Sequence, residues 1–98
     1  MKAEPFMDKD RAELLAIHAL GHIAADDDLL GDFLDRSGLA PDELRARAGD
    51  PEFLGFVLEY LLGDEPRLLA FCEEAGLAPE LPAAARRALP GGEEVHWS

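Results

Sequence analysis

Apolar residues recur at spacings of three and four along the chain, and acidic residues, prolines and glycines break the pattern at intervals, which together predict six helices. The first is expected over 8–25. The second begins in the cluster Asp26, Asp27, Asp28, whose carboxylates can cap free backbone N–H groups and oppose the positive end of the helix dipole, and it stops at Gly38. Beyond that glycine Leu39 is placed to fold back on Leu34, and Pro41 suits the first position of a short third helix to 48, ended by Gly49. Asp50 and Pro51 repeat the cap-plus-proline signal and open the fourth helix, 51–62, closed by Gly63. Asp64 caps the fifth, Pro66 lies in its first turn, and Gly76 with Leu77 ends it as Gly38 with Leu39 ends the second; a short sixth helix follows over 81–89.

Successive helical residues turn by about 100°, so the spacing also says which faces are buried. Leu68, Phe71, Cys72 and Ala75 share one side of the fifth helix, while Glu73 and Glu74 point away. Leu30, Phe33, Leu34 and Ser37 do the same in the second. Apolar residues cover most of the circumference of the first and fourth helices, the mark of central bundle elements. Leu14, Leu15, Ile17, Leu20 and Ile23 are expected to supply one half of the core; Phe53, Leu54, Phe56, Val57, Leu58, Leu61 and Leu62 the other.

The two halves resemble each other. A shift of 38 residues pairs Leu20 with Leu58, Asp26 with Asp64, Leu30 with Leu68 and Phe33 with Phe71, then Gly38-Leu39-Ala40-Pro41 with Gly76-Leu77-Ala78-Pro79. Two units are fewer than a solenoid needs, so they are expected to pack face to face around one core with approximate two-fold symmetry. Chance similarity between short helical stretches is the competing account.

Composition agrees with an all-α fold. Of 98 residues 48% are hydrophobic, dominated by leucine and alanine; Ile17, Ile23, Val57 and Val95 are the only Ile or Val, and threonine is absent. One core fits this length, with 1–7 as an N-terminal lead, 8–90 as a single helical domain and 91–98 as a flexible acidic tail. Asparagine and glutamine are absent too, so the neutral groups that orient small ligands are scarce. The net charge of -12 repels phosphate backbones and anionic membranes, which argues against nucleic acid and membrane partners. A lone cysteine, Cys72, excludes an internal disulfide and suits a cytoplasmic location. Residues 1–7, with Glu4 and Pro5, lack the apolar run of a secretory signal, and the densest apolar stretch, 53–62, is half of the ~20 residues a membrane helix needs.

Few residues carry candidate chemistry. His18 and His22, four apart, share a helix face at a metal-binding spacing, but Arg11 lies on the same stripe and no second His or Cys cluster exists, since His96 is in the tail. The repeat puts Phe56 and Tyr60 at the matching positions, so imidazole packing is the simpler account. An EF-hand frame on Asp26–Asp28 places Gly31 correctly but fails at Leu30 and Ser37. Cys72 shares a face with Phe71 and pairs with Leu34, which predicts a buried, unreactive thiol. Glu73 and Glu74 diverge by about 100° and cannot share a proton. Residues 33–48 have the hydrophobic frame of a helix-turn-helix, yet the would-be recognition helix begins Asp42, Glu43 before Arg45 and Arg47 and is closed by Asp50, so it meets phosphates badly. Trp97, the only tryptophan, can anchor a partner from the tail, fold back on the domain or stay disordered.

Leu29-Leu30 to Phe33-Leu34, the Ser37-Gly38-Leu39 turn, Pro41 to Leu44, Arg45-Ala46-Arg47-Ala48, Asp50-Pro51, Phe53-Leu54 through Val57-Leu58, and Leu61-Leu62 together resemble a family of small bacterial proteins, found chiefly in alphaproteobacteria, known as domain of unknown function 3572. The resemblance spans His18 to Pro90. It implies a bacterial cytosolic protein and carries over no activity, because the shared residues are caps and core positions. The expectation is therefore a non-catalytic helical protein acting through protein–protein contacts, with no catalytic, metal or cofactor residues and Trp97 as an interaction candidate. The apolar surplus on the first and fourth helices points to a homodimer. The alternative is a DNA-binding regulator using 33–48.

Overall fold

The computed structural model describes residues 7–90 and contains six helices: α1 (Lys9–Ala24), α2 (Asp27–Ser37), α3 (Pro41–Arg47), α4 (Pro51–Leu62), α5 (Glu65–Ala75) and α6 (Glu80–Ala88), with no strand among the described residues. Four of the helices begin on an aspartate whose carboxylate accepts from an orphan backbone N–H of the first turn. Asp8 accepts from Arg11 at 2.8 Å, Asp26 from Asp28 and Leu29 at 2.9 and 3.1 Å, Asp50 from Glu52 at 3.0 Å, and Asp64 from Arg67 at 3.1 Å. α3 follows an alanine, which has no acceptor, and Glu43 instead reaches back to the Ala40 N–H at 2.8 Å. α6 starts and stops one residue earlier than the spacing predicts. Its exit residue Leu89 is extended (ψ 159°) because Pro90 disfavours helical backbone in the residue before it.

Gly38 and Gly76 end α2 and α5 in the left-handed region, φ 74° and 70°, where a side chain would cost about 1–2 kcal/mol. The two ends differ by one hydroxyl. At Gly76 the Leu77 N–H donates to the Cys72 carbonyl at 2.9 Å and the Gly76 N–H to Glu73, a Schellman motif. At Gly38 only the 2.8 Å bond to Leu34 forms, since the Leu39 N–H donates to the Ser37 hydroxyl at 3.2 Å. The repeat partner of Ser37 is Ala75, which offers no such acceptor.

α1 and α4 pack against each other at the centre, α2 lies on α1 as α5 lies on α4, and α6 packs on both central helices. Phe33, Phe71, Ile23, Leu54, Leu58 and Leu61 are fully buried. One expectation about this core fails. Leu14 and Ile17 do not supply it: they are 68% and 43% exposed, and the buried side of α1 is Ala12, Ala16, Ala19, Leu20 and Ile23. Alanine lets helix axes approach closely, and α1 uses that side for its two most extensive contacts, with α6 and α4.

The aromatic contacts between the halves are reciprocal, in keeping with the repeat. His22 of α1 meets Phe71 of α5 edge-on at 5.3 Å, and the matching pair, Tyr60 of α4 with Phe33 of α2, does so at 5.1 Å. His18 with Phe71 at 5.6 Å is matched by Phe56 with Phe33 at 5.5 Å. Each unit therefore lays the aromatic pair of its long helix on the phenylalanine of the other. The third helices break the relation. α6 covers α4, where the Arg86 guanidinium lies over Gly55, whereas α3 makes no comparably extensive contact with α1.

Candidate functional site

Because α3 leaves α1 partly uncovered, a groove of about 330 Å³ remains between Ile17, Leu20, Gly21 and Ala24 of α1, Leu30 of α2, and Pro41, Leu44 and Arg45 of α3. Its walls are apolar apart from Arg45. Leu14 continues the wall of α1 toward the N-terminus: at about 100° per residue, Asp10, Leu14, Ile17, Gly21 and Ala24 fall within an arc of roughly 80°. The space above Gly21 is open, with no atom within 4 Å of where a Cβ would stand. Arg45, which lines the groove, and Asp10, two turns before it on the same side of α1, are exposed, and neither has an ion-pair partner among the described residues.

The matching face of α4 serves as an internal control. There the repeat places Glu52, Gly55, Glu59 and Leu62 where α1 has Leu14, Ile17, Gly21 and Ala24. Glu52 and Glu59 are exposed, and Arg86 donates to Glu59 across Gly55. Glu52 lies in the first turn of α4, where a carboxylate suits the helix end, whereas Leu14 lies in the second turn of α1.

Around Tyr60 the polar groups are engaged with one another. Tyr60 donates its hydroxyl to Asp32 at 2.7 Å, Arg67 donates twice to the Tyr60 carbonyl at 3.1 and 2.7 Å, and the Arg67 guanidinium stacks 3.9 Å from the tyrosine ring. Arg36 donates to the same carboxylate at 3.0 Å. Burial, and next the bond to Asp32, push the Tyr60 hydroxyl up to about 12. The Tyr60 hydroxyl in turn, helped by Arg36 and Arg67, holds the Asp32 carboxyl below its usual value. Through these bonds the cluster ties α2 and α5 to α4. Two hollows of about 320 and 250 Å³ adjoin it, sharing Arg36 and Phe56, but Arg36 and Arg67 already have carboxylate or carbonyl partners there.

The family model described as "Protein of unknown function (DUF3572)" matches residues 9–92. The chain belongs to the DUF3572 family. The match takes in all six helices, the capping aspartates from Asp26 onward and both left-handed glycines, so the DUF3572 pattern coincides with the scaffold described above. No curated protein and no solved structure matches the chain.

The residues singled out from the sequence fall as follows. His18 and His22 do not gather a metal set: among the described residues no group of three or more His, Cys, Asp or Glu is placed to hold an ion. His18 is exposed and stands on the Phe71 edge, while the His22 Nδ1 faces the Glu74 carboxylate. Since a carboxylate only accepts, Nδ1 carries the proton, and the buried Nε2 has no hydrogen-bond partner. Of the three aspartates at 26–28, Asp26 caps α2. Cys72 is 3% exposed, and burial, with a smaller contribution from Glu80, raises its thiol above the usual range. In 33–48, α3 exposes Asp42 and Glu43 beside Arg45 and Arg47. Trp97 and His96, with the tail 91–98 and residues 1–6 of the lead, lie outside the described residues. Among the described residues no helix is long and apolar enough to cross a membrane.

The groove itself was missed. Its signal lay in the repeat, where Leu14 aligns with a glutamate although it sits among residues that otherwise read as core.

Proposed function

We propose that this protein is a non-catalytic helical module that works by protein–protein contact, and that its contact surface is the outer stripe of α1 with the groove it borders. The observation that supports this reading is the exposure of Leu14 (68%) and Ile17 (43%) beside an apolar groove, at a register where the twin helix α4 carries exposed Glu52. Exposed leucine and isoleucine oppose solubility, and Leu14, with most of its surface in water, contributes little to the monomer. Binding is what such a stripe supplies, because apolar area removed from water drives association. The lone buried cysteine is compatible with a contact made in a reducing compartment such as a cytosol.

A photo-crosslinking side chain tests the proposal in cells. At position 14 or 17 it is expected to yield a protein adduct, and at Glu52 none. Equal, background labelling at all three positions would contradict the reading. The DNA-binding alternative predicts anisotropy changes with mixed duplexes at low salt that vanish in Arg45→Glu and Arg47→Glu; the acidic entry to α3 speaks against it.

A further inference from the structure

Resting on that contact reading, we infer that the partner of the α1 stripe is a basic amphipathic helix of a different protein, laid along α1 with its apolar face on the groove. The spacing specifies a helix. Asp10, Leu14, Ile17, Gly21 and Ala24 are separated by four, three, four and three positions, the seam of a heptad, and all five are exposed. The inner side of α1 shows the same rule in use: Ala12, Ala16, Ala19 and Ile23, four, three and four apart, are buried on the side that packs on α4 and α6. The outer seam repeats that pattern with no helix of its own chain upon it among the described residues. A helix set there rests on Leu14 and Ile17 along one side and meets Leu30, Pro41 and Leu44 across the groove. The apolar part, Leu14 to Ala24, is about 15 Å long, or nearly three turns.

Charge chooses which helix. Asp26, Asp27 and Asp28 follow the C-terminal end of the seam, and Asp42 and Glu43 follow the groove residue Pro41. All five are exposed, and none has an ion-pair partner among the described residues. Residues 8–48, which hold the three helices of the groove, carry ten Asp or Glu against five Lys or Arg, so Arg45, the one charged residue on the lining, leaves the balance acidic. A second copy would bring the same acids. Paired antiparallel about the middle of the seam, it carries Asp10 to the end where Asp26, Asp27 and Asp28 stand; paired parallel, it sets each carboxylate against itself. Each copy also bears a net charge of -12. A helix whose apolar face is flanked by lysine or arginine replaces this repulsion with attraction, which speeds encounter and weakens with salt.

Fluorescence anisotropy on the full chain with labelled model peptides of about 18 residues, long enough to form a helix on contact, tests the assignment. One peptide has leucine at the heptad a and d positions and lysine at the flanking ones; a second replaces the lysines with glutamate; a third scrambles the first so that its seam is lost. At physiological salt the lysine peptide is expected to bind at least about ten-fold more tightly than either of the others. Leu14→Asp makes the protein more acidic and yet should weaken the lysine peptide by about ten-fold or more, because the apolar contact is lost. Leu14→Ala should weaken it in the same direction. Position 14 is mostly in water, so folding persists, and circular dichroism verifies it. Equal binding of the lysine peptide and its scrambled or glutamate form, or binding indifferent to Leu14→Asp, overturns the basic helix as occupant. A wild type that binds no peptide but crosslinks a protein through position 14 overturns the basic helix and leaves the contact surface standing, and an adduct with its own chain assigns that surface to a second copy instead. Failure of both peptide binding and crosslinking at position 14 overturns the two readings together.

Discussion

Replacing Leu14 by alanine should barely change stability, whereas enlarging Ala16 to leucine should damage it, the reverse of what residue size alone predicts. Complete burial of a leucine stabilises by about 1.5–3 kcal/mol. Leu14 keeps 68% of its surface in water, so about a third of that, about 0.5–1 kcal/mol, is at stake in the monomer. Alanine is the better helix former and returns a few tenths. The net cost of Leu14→Ala is therefore expected below about 1 kcal/mol, against about 2–5 kcal/mol for a truncation in a packed core. Ala16 is fully buried on the side of α1 that meets α4 and α6. Three further carbons there force those helices apart, with an expected cost of about 1–3 kcal/mol or more. Urea denaturation followed by circular dichroism measures both, and the m-value shows whether unfolding stays two-state. A loss of more than about 2 kcal/mol in Leu14→Ala, with Ala16→Leu neutral, would show that α1 is rotated the other way and would remove the basis for a contact surface.

Three further outcomes follow from the same geometry. Tyr60 is the only tyrosine, so phenolate absorbance reports it alone: the native midpoint should lie at about 12 and the urea-unfolded midpoint near the ordinary value of 10. The folded state keeps the proton longer, so this contribution to stability is complete below pH 10 and is lost as the pH rises toward 12; a native midpoint near 10 would refute the Asp32–Arg67 clamp. Gly38→Ala and Gly76→Ala should each cost about 1–2 kcal/mol by backbone strain alone, since nothing crowds either position, while Ser37→Ala should cost little, because the Gly76 turn already closes with alanine in that place; equal losses in all three urea curves would contradict this. Cys72 should react with a thiol reagent only as fast as the protein opens, and a native rate equal to that of the unfolded chain would place the thiol outside the core.

What the sequence discloses well is local. Asp26, Asp50 and Asp64 announce their helices because a cap needs only a short acceptor and a free N–H within three residues, and Gly38 and Gly76 announce the ends because only glycine is at ease at those angles. The repeat was also legible, and the reciprocal His22–Phe71 and Tyr60–Phe33 contacts give it a structural meaning. The orientation of α1 was not. With leucines, isoleucines and alanines all round the helix, periodicity offers no preferred face, and size favours Leu14 and Ile17 for the core; the close approach of α4 and α6 decides for the alanines instead. Long-range polar pairs were equally hidden, since His22 and Glu74 lie 52 positions apart and nothing in either segment names the other.

The account stands on the outer stripe of α1 being a contact surface used by a basic helix. An amide correlation spectrum of the isotopically labelled full chain, recorded as the lysine-flanked peptide is added, tests this most directly. Resonances of Leu14, Ile17, Gly21 and Leu44 are expected to move together along one two-state isotherm, with Arg67, Phe71 and Cys72 unmoved. Shifts confined to α5, or a spectrum unchanged by the peptide, would contradict it.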